Sequence, residues 1–517
     1  MHRCSRSARS CSDTSMPSIA VFLFITLPWL NPFSAGPAPA VIPWLVTLVC
    51  LALMLLWAAR VRLAEVAASA WLAAALLSSL LGLLQYFGAT TVFGPWVNST
   101  GLGEAFANLR QRNQFATLTN IGLAALLWWA SQRQVMPAVL TNVPHPASLN
   151  WRTAAMLVAA VLLAMGNAAS SSRTGLLQLV MLLVLAWIWR KGGSDRQQAA
   201  VWRVLLATLL AYAVAAVALP ILVGLDPNAV GILARLHAGD SACASRLTLW
   251  GNVLHLIAQK PWFGWGWGEL DYAHFITLYP GPRFCDILDN AHNLPLHLAV
   301  ELGVPLALLI CGGGAWLAWR AKPWLESDAT RQMAWAVLAV ILLHSLLEYP
   351  LWYGPFQMAF GLSLWLLWRS PDRASWRYRR FKLLAPVLSA LIAMFLIAMV
   401  TYAAWDYYRV SQLYLIPKMR SEAYRDNTLE KVADSWLFRN PVRFAELTTT
   451  PLTADNAAHI NALAKAMLHF SPEPRVVQKL IESAVLLGRE DEALYYLARY
   501  QAAFPESHAQ WAEKLPQ

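Results

Sequence analysis

Long apolar runs, separated by shorter polar segments, alternate along the first 404 residues of this 517-residue chain. A helix needs about 20 mostly apolar residues to cross a hydrocarbon layer roughly 30 Å thick. The runs therefore predict an all-α, polytopic membrane helix bundle with eleven or twelve spans. The eleven best-defined spans are 17–33, 41–58, 68–87, 114–131, 152–169, 174–190, 201–223, 295–318, 331–348, 351–368 and 384–404.

Composition and charge agree with a membrane protein and exclude other classes. The chain is 58% hydrophobic and 13% charged, far from the balance of an ordinary soluble domain. Its net charge of +11 needs no nucleic-acid partner. Half of the 40 Lys and Arg fall in alternate loops, where membrane topology and anionic lipid head groups place them.

The same basic residues predict the orientation. Twenty lie in alternate segments that include the N-terminus and the basic stretch 369–382, whereas the opposite loops before residue 404 hold seven. Cytoplasmic loops carry the excess of Lys and Arg. The N-terminus is therefore expected inside and, after an odd number of spans, the C-terminal tail outside.

The sequence of the N-terminal residues has two interpretations. Residues 1–16 are expected to be a disordered or non-native extension, with Met16 as a candidate start. Residues 1–40 also have the arginines, apolar core and small residues of a secretory signal. An uncleaved first span is preferred, because its removal would move the basic loops outside.

The tail differs in composition from the rest of the chain. From residue 405 to 517 it has the helical periodicity and Gly and Pro punctuation of a soluble helical domain. Residues 488–505 have a tetratricopeptide-like pattern, but a 34-residue repeat is not convincing. We expect a transmembrane domain, 17–404, followed by a small helical outer domain, 405–517.

Polar residues gather in three exterior segments, 89–113, 167–175 and the long loop 224–294. The cytoplasmic loops are short and basic, and the chain has no GxxxxGK[ST] phosphate loop. Chemistry is therefore expected on the exterior face, without a cytoplasmic nucleotide.

Two of the six cysteines, Cys243 and Cys285, share the long exterior loop. They could form a disulfide in an oxidising compartment or remain two thiols, since geometry decides. No Cys/His spacing typical of zinc occurs. The sequence predicts neither a metal nor a cofactor.

The stretch LDNAHNLPLHLAVELGVP, residues 288–305, places four polar side chains at the mouth of an apolar run, namely Asp289, Asn290, His292 and Asn293. Histidine suits proton abstraction near neutral pH, and its neighbours could orient the imidazole or bind sugar hydroxyls. The alternative is an interfacial histidine that anchors a helix end. The nearby His297 is expected to be buried packing.

Four arginines lie on the same predicted face, namely Arg110, Arg112, Arg173 and Arg246. A guanidinium at a membrane boundary is costly unless an anion pairs with it, and its planar fork of donors matches phosphate oxygens. The four therefore favour a diphosphate at the outer leaflet. Each could instead snorkel to lipid phosphates or cap a helix.

Two further features lie at exterior boundaries. Glu348, with His344 one turn before it, is either functional or part of a structural His/Glu pair. The aromatic and glycine-rich stretch 261–272 suits either stacking on sugar rings or an interfacial aromatic belt.

Together these motifs resemble the bacterial protein O-oligosaccharyltransferases, the pilin-glycosylation ligases of the O-antigen ligase and polymerase superfamily. The resemblance runs from about residue 90 to 370, and the helical tail shares it. It rests on RQRNQFA, SSSRTG, SRLTLWGNVLHLIAQKPWFGWGWGEL, DNAHNLPLHLAVELGVP and HSLLEYPLWYGPF.

The resemblance implies a metal-independent glycosyltransferase of the bacterial inner membrane with its active site facing the periplasm. Such an enzyme moves an oligosaccharide en bloc from an undecaprenyl-diphosphate carrier to Ser/Thr hydroxyls of periplasmic or pilin-like proteins. It implies His292 as the base or acceptor-positioning residue and Arg173 and Arg246 as diphosphate ligands.

Other functions remain open at this stage. Within the superfamily they are O-antigen ligation to lipid A core and polysaccharide polymerisation. From other classes they are a transporter, which should show polar interruptions at mid-membrane, and an envelope scaffold, which would not need boundary arginines.

Overall fold

The structure is a computed structural model that describes residues 5–34, 36–132, 151–237, 243–368 and 378–514. These residues form α-helices joined by loops and short 3-10 turns, with no β-strand among them. The predicted all-α class is thereby confirmed.

The helices follow the predicted order of long spans around a loop. Seven precede the long loop: α1 (Ser5–Leu30), α2 (Val41–Trp57), α3 (Leu63–Tyr86), α4 (Arg112–Gln132), α5 (Trp151–Ala169), α6 (Arg173–Ile188) and α7 (Asp195–Leu222). The loop contains α8 (Ile232–His237), α9 (Arg246–Gln259), α10 (Leu270–Ile276) and α11 (Leu294–Leu302). Four long helices follow: α12 (Val304–Ala321), α13 (Ala329–Ser345), α14 (Gly354–Trp368) and α15 (Tyr378–Ser411).

Ten of the eleven predicted spans correspond to one long helix each in the described residues, and the span 295–318 corresponds to α11 and α12. Seven helical segments are long and apolar enough to cross a membrane on their own. They are Val41–Arg60, Leu63–Tyr86, Trp151–Ala169, Arg173–Gly192, Asp195–Leu222, Val304–Leu325 and Pro386–Tyr414. The other four are α1, with a shorter apolar part at Met16–Leu30, α4, and the 17- and 15-residue helices α13 and α14. The chain is a polytopic membrane protein.

Helix α4 is the centre of the bundle and packs against α3, α5, α6, α7 and α13. Most of its residues are buried, including the polar Thr117 and Asn120. Small residues let its neighbours approach closely. A Cβ at Gly175 of α6 would lie 2.5 Å from the Cβ of Ala116, and one at Gly122 would lie 2.3 Å from that of Ala75. The first contact brings α4 close to α6, and the second brings α4 close to α3.

Three boundaries differ from the prediction. Helix α1 begins at Ser5 and runs through Pro17, rather than beginning after residue 16. The span predicted at 295–318 is two helices, because Gly303 has φ 87° and a Cβ there would lie 2.2 Å from the Trp262 carbonyl oxygen. Helix α15 continues past residue 404 to Ser411, as its hydrophobic pattern changes without a helix breaker. The basic stretch 369–382 lies partly outside the described residues.

The tail contains six helices, most of them packed on one another in pairs. They are α16 (Thr428–Val432), α17 (Arg439–Thr449), α18 (Ala457–Leu468), α19 (Pro474–Leu486), α20 (Glu490–Ala503) and α21 (Pro505–Ala512). The core around Leu480 and Ile460 also takes in Phe275, which belongs to α10 of the long loop. The loop and the tail therefore share a hydrophobic core. The division of the chain at residues 16 and 404 stays a prediction.

Candidate functional site

The carboxylate of Glu348 lies at the meeting point of three segments that are distant in sequence. It follows the end of α13, is 7% exposed, and its backbone N–H donates to the His344 carbonyl oxygen at 2.8 Å. His292 Nδ1 lies 2.7 Å from Oε2, and Arg246 Nη2 donates to Oε1 at 2.6 Å. The predicted histidine and one predicted arginine therefore contact the same carboxylate.

Two side chains from the segment that enters α4 complete the surroundings of this carboxylate. Gln111 Nε2 donates to Glu348 Oε2 at 3.2 Å, and Asn113 Nδ2 donates to Oε1 at 3.3 Å. Asn113 Oδ1 accepts from Ser172 Oγ at 2.7 Å, and Ser172 caps α6 by accepting from the Gly175 N–H at 2.9 Å. The ends of α4, α6 and α13 thus converge on Glu348.

These contacts determine the charge state of Glu348. Burial raises its pKa, but the hydrogen bond and charge of His292 and the charges of Arg246 and His344 outweigh burial. The net effect is a pKa below the ordinary value, as expected for a carboxylate with cationic partners. Glu348 is therefore an anion at neutral pH and can hold the imidazole in one orientation.

The backbone at His292 has a conformation that non-glycine residues rarely adopt. His292 has φ 50°, a left-handed conformation that costs a non-glycine residue about 1–3 kcal/mol and is concentrated at functional sites. Its N–H donates to Asn290 Oδ1 at 2.9 Å. Asn293 Oδ1 caps α11 by accepting from the Leu296 N–H at 3.1 Å. The two asparagines therefore hold the loop that presents His292.

Two other non-glycine residues with positive φ border the site. Arg110 has φ 60° in the segment before α4, and Ser171 has φ 53° in the turn before α6. Arg235 donates from Nη1 to the Ser171 carbonyl oxygen at 3.1 Å, which fastens that turn to α8. The segments of His292, Arg110 and Ser171 therefore each carry a strained backbone residue near the same place. Such clustering is typical of a functional site.

The remaining predicted residues lie around the centre. Arg110 donates from Nη2 to the Pro32 carbonyl oxygen at 3.3 Å, and Arg112 forms an exposed ion pair with Glu104 at 3.4 Å. Arg173 is exposed at the first residue of α6, directly after Ser172. Asp289 is exposed beside the buried Asn290. Of the four arginines, Arg246 is the one whose guanidinium donates a hydrogen bond to Glu348.

The sequence left a structural His344/Glu348 pair as one of two alternatives, and in the structure the His344 side chain instead joins a polar network inside the bundle. His344 Nδ1 lies 2.9 Å from Thr117 Oγ1, whereas its contact with Glu348 runs through the backbone. Gln178 Nε2 donates to the Val340 carbonyl oxygen at 2.9 Å, and Gln178 also bonds Thr117. This network supports the ends of α4, α6 and α13 that converge on Glu348.

His297 is 2% exposed, as expected for a packing residue. Its Nε2 lies 3.5 Å from Glu301 Oε2, and its ring meets the edge of Trp352 at 5.0 Å between centroids. Trp352 stacks on Trp267 with a centroid distance of 6.1 Å. The ring of His292 itself packs against Tyr349, with 5.0 Å between the centroids.

The long loop is held in place by a disulfide and by the tail. Cys243 and Cys285 form the disulfide, with Cα atoms 5.3 Å apart, which resolves the two alternatives left by the sequence. Glu269 Oε2 lies 2.6 Å from His469 Nδ1, and Arg499 donates from Nε to the Ile276 carbonyl oxygen at 2.8 Å. Both His469 and Arg499 belong to the tail.

Sequence reasoning missed Gln111, Asn113 and Ser172. In RQRNQF the arginines drew attention as possible anion ligands, yet the residues that alternate with them point at Glu348. The available signal was that Gln111 and Asn113 lie where the chain enters α4. Which side chains there face Glu348 is set by how α4 packs on α6 and α13. That packing is a tertiary property.

Comparison with known families gives three matches along the chain. Residues 158–311 match the family described as O-Antigen ligase, residues 332–517 the one described as virulence factor membrane-bound polymerase, C-terminal, and residues 105–130 the one described as protein glycosylation ligase. The fold is that of a multi-pass membrane protein, and parts of its sequence are similar to O-antigen ligases and protein glycosylation ligases.

The chain is also similar to two O-oligosaccharyltransferases. It is 23% identical over 325 residues to the General O-oligosaccharyltransferase of Acinetobacter baylyi, which covers 59% of this chain and 50% of that protein. It is 23% identical over 262 residues to the ComP-specific O-oligosaccharyltransferase of the same organism, covering 50% and 43%. The chain thus spans about half the length of the curated relatives that it matches.

Proposed function

We propose that this protein transfers an oligosaccharide en bloc from an undecaprenyl-diphosphate carrier to Ser/Thr hydroxyls of a periplasmic or pilin-like protein. The reaction takes place at the outer face of the bacterial inner membrane. The observation that carries the proposal is the contact of His292 and Arg246 with one buried, ionised carboxylate, Glu348.

The His292–Glu348 pair supports a role in activating the acceptor. The carboxylate accepts a hydrogen bond from Nδ1 of the neutral imidazole, which leaves Nε2 as the nitrogen that takes a proton. As the acceptor hydroxyl oxygen bonds to the anomeric carbon, its proton passes to Nε2. The bond from that carbon to the diphosphate oxygen breaks at the same centre.

The leaving diphosphate gains negative charge, and fixed guanidinium groups stabilise that charge. Arg246 commits one N–H to Glu348, and its side chain remains 36% exposed, so further donors can face a ligand. Arg173 is exposed at the first turn of α6, where the helix dipole adds positive potential. Arg110 and Arg112 lie in the segment that also carries Gln111 and Asn113.

The protein acceptor is supported by two observations. The matched relatives carry names of O-oligosaccharyltransferases, one of them specific for ComP. In addition, the helical tail packs directly on the loop that carries the candidate site. Grooves between paired helices can bind a protein segment.

A second candidate function is transfer to a glycan or lipid rather than to a protein. The tail together with the last spans matches a family described as a membrane-bound polymerase, and the middle of the chain matches O-Antigen ligase. The same His292–Glu348 chemistry would serve O-antigen ligation to lipid A core or polymerisation of repeat units.

The test is to express the gene with a tagged pilin in a host that lacks its own ligase and to weigh the pilin intact. A mass increase by whole oligosaccharide units, localised to Ser or Thr, supports the proposal. Unmodified pilin together with restored lipopolysaccharide O-antigen in a ligase mutant would assign the second function instead.

A further inference from the structure

Helix α9 runs from the exterior end of one membrane helix to that of another. At its start, Arg246 pairs with Glu348, three residues beyond the end of α13. After its end, the Val304 N–H donates to the Pro261 carbonyl oxygen at 2.8 Å, at the first residue of α12. The chain joins α12 to α13 through residues 322–328 only, so these two ends lie on the same side of the bundle.

A helix of 14 residues is about 21 Å long. Fastened at both ends to helices that cross the bilayer, α9 must run along the membrane surface rather than away from it. The hydrogen bond from the Trp265 N–H to the Val300 carbonyl oxygen, at 2.8 Å, fixes the loop after α9 at the same level.

The outward face of α9 is apolar. Apart from the terminal Gln259, its exposed residues are Leu247, Gly251, Leu254 and Ala258, at the spacing of one helical face. Leu247 is 80% exposed and Leu254 is 55% exposed. The opposite face packs Leu249, Val253 and Leu256 into the core of the loop.

The aromatic tip that follows α9 continues this face. Trp262 is 72% exposed and Phe263 is 90% exposed, directly beside the start of α12. A Cβ at Gly264 would lie 2.3 Å from the Glu301 carbonyl oxygen, so the backbone of the tip packs closely against the α11–α12 junction.

The surface next to the tip faces lipid. Only 6% of the apolar window of the span Val304–Leu325 is buried inside the protein, and Leu308 and Leu309 are 66% and 71% exposed. The tip and this span form one continuous apolar surface. Large exposed apolar patches of this kind mark an interaction with a membrane or a protein.

Charge also fits a lipid surface. The helix contains no acidic residue, and cations lie at its two ends, Arg246 and Lys260. The Lys260 ammonium lies 3.9 Å from the centre of the Trp265 ring, so lysine and tryptophan are held together at one level. A basic amphipathic helix with exposed Leu, Trp and Phe is typical of an interfacial helix.

We propose that α9 and the tip Pro261–Gly264 lie in the lipid leaflet on the exterior side and bind it with Leu247, Leu254, Trp262 and Phe263. Lys260, directly after the end of α9, meets anionic head groups. Since Arg246 is the first residue of α9 and contacts Glu348, the lipid contact fixes the height of the candidate site above the leaflet.

The test uses spin labels on the full-length protein in nanodiscs of phosphatidylethanolamine and phosphatidylglycerol. The cysteines outside the disulfide, Cys4, Cys11, Cys50 and Cys311, are replaced by alanine. Single labels are placed at Leu254→Cys and Phe263→Cys. Leu494→Cys is the matched control, because Leu494 is an exposed leucine of the tail helix α20. Leu254, Phe263 and Leu494 are all exposed, so labels at these positions do not disturb a hydrophobic core.

We expect labels at 254 and 263 to collide with oxygen, which concentrates in lipid, several-fold more than with a water-soluble nickel chelate. The label at 494 should show the reverse. Equal access of the chelate to 254, 263 and 494 would overturn the proposal. Dipolar broadening between labels at 254 on two copies would overturn it as well, because it would assign the face to a protein interface.

Discussion

The geometry of His292 leads to the first prediction. His292→Ala should lower glycan transfer by about 10²- to 10⁴-fold, the range of a lost general base. The side chain lies in a loop, against Tyr349 and Glu348, so insertion and folding should be kept. The measurement is glycosylated acceptor at matched enzyme level. His237→Ala, an exposed histidine of the same loop, serves as control. Activity of His292→Ala within a few-fold of wild type would remove its role as base.

Glu348 provides a separate prediction, because it holds His292 without reaching the acceptor itself. Glu348→Gln keeps size but removes the charge that Arg246 and His292 share. The imidazole would then lose its fixed tautomer, and transfer should fall by roughly 10²-fold or more. Carrier binding should change less than the rate of transfer. Loss of carrier binding with an unchanged rate at saturation would show instead that Glu348 acts by placing Arg246.

Arg246 and Arg173 are predicted to bind the carrier diphosphate. Replacing either with alanine should weaken binding of an undecaprenyl-diphosphate analogue, and lysine should restore part of it, since charge returns but the bidentate fork does not. The measurement is equilibrium binding to the purified protein. Arg190→Ala, beyond the opposite end of α6, is the matched control. Unchanged affinity in the Arg173 and Arg246 variants would show that these residues only cap helices or pair with carboxylates and do not bind the diphosphate.

The disulfide controls how the long loop presents Arg246. Its sequence separation is 42 residues, and closing a loop of that length stabilises the fold by about 4 kcal/mol in the chain-entropy model. Cys243→Ser combined with Cys285→Ser should lower the melting temperature and reduce transfer, because Arg246 begins α9 only three residues after Cys243. Thermal unfolding and transfer would be compared with the Cys50→Ser, Cys311→Ser variant, which keeps the disulfide. Equal stability of the two variants would contradict a structural role.

Hydrophobic patterning predicted the long helices because most of them face lipid or a buried core over their whole length. It missed the break at Gly303, where an apolar run continues although the chain turns; the glycine followed two residues later by Pro305 was the available signal. It placed α4 correctly, yet it could not tell that Gln111 and Asn113 face Glu348. That depends on the close contact of α4 with α6, which no local pattern contains.

At the scale of the whole molecule, the C-terminal tail packs against the long loop and is not held through its connection to the last span alone. Phe275 of α10 is 2% exposed within the core of the tail, and Tyr272 stacks on His469 at 3.8 Å. Patterning predicted a helical tail, but this joint core involves residues about 200 positions apart and could not be seen in the sequence. A protein acceptor held by the tail would reach His292 along the same loop.

The last prediction follows from this joint core. Phe275→Asp should place a charge in the core of the tail and separate the tail from the loop. If the tail presents a protein acceptor, modification of a pilin should fall at least ten-fold, whereas binding of an undecaprenyl-diphosphate analogue should fall far less. Leu494→Asp, an exposed position of α20, is the matched control and should change neither. A parallel loss of carrier binding in Phe275→Asp would mean that the tail only stabilises the loop, and normal pilin modification would show that acceptor presentation does not need the tail.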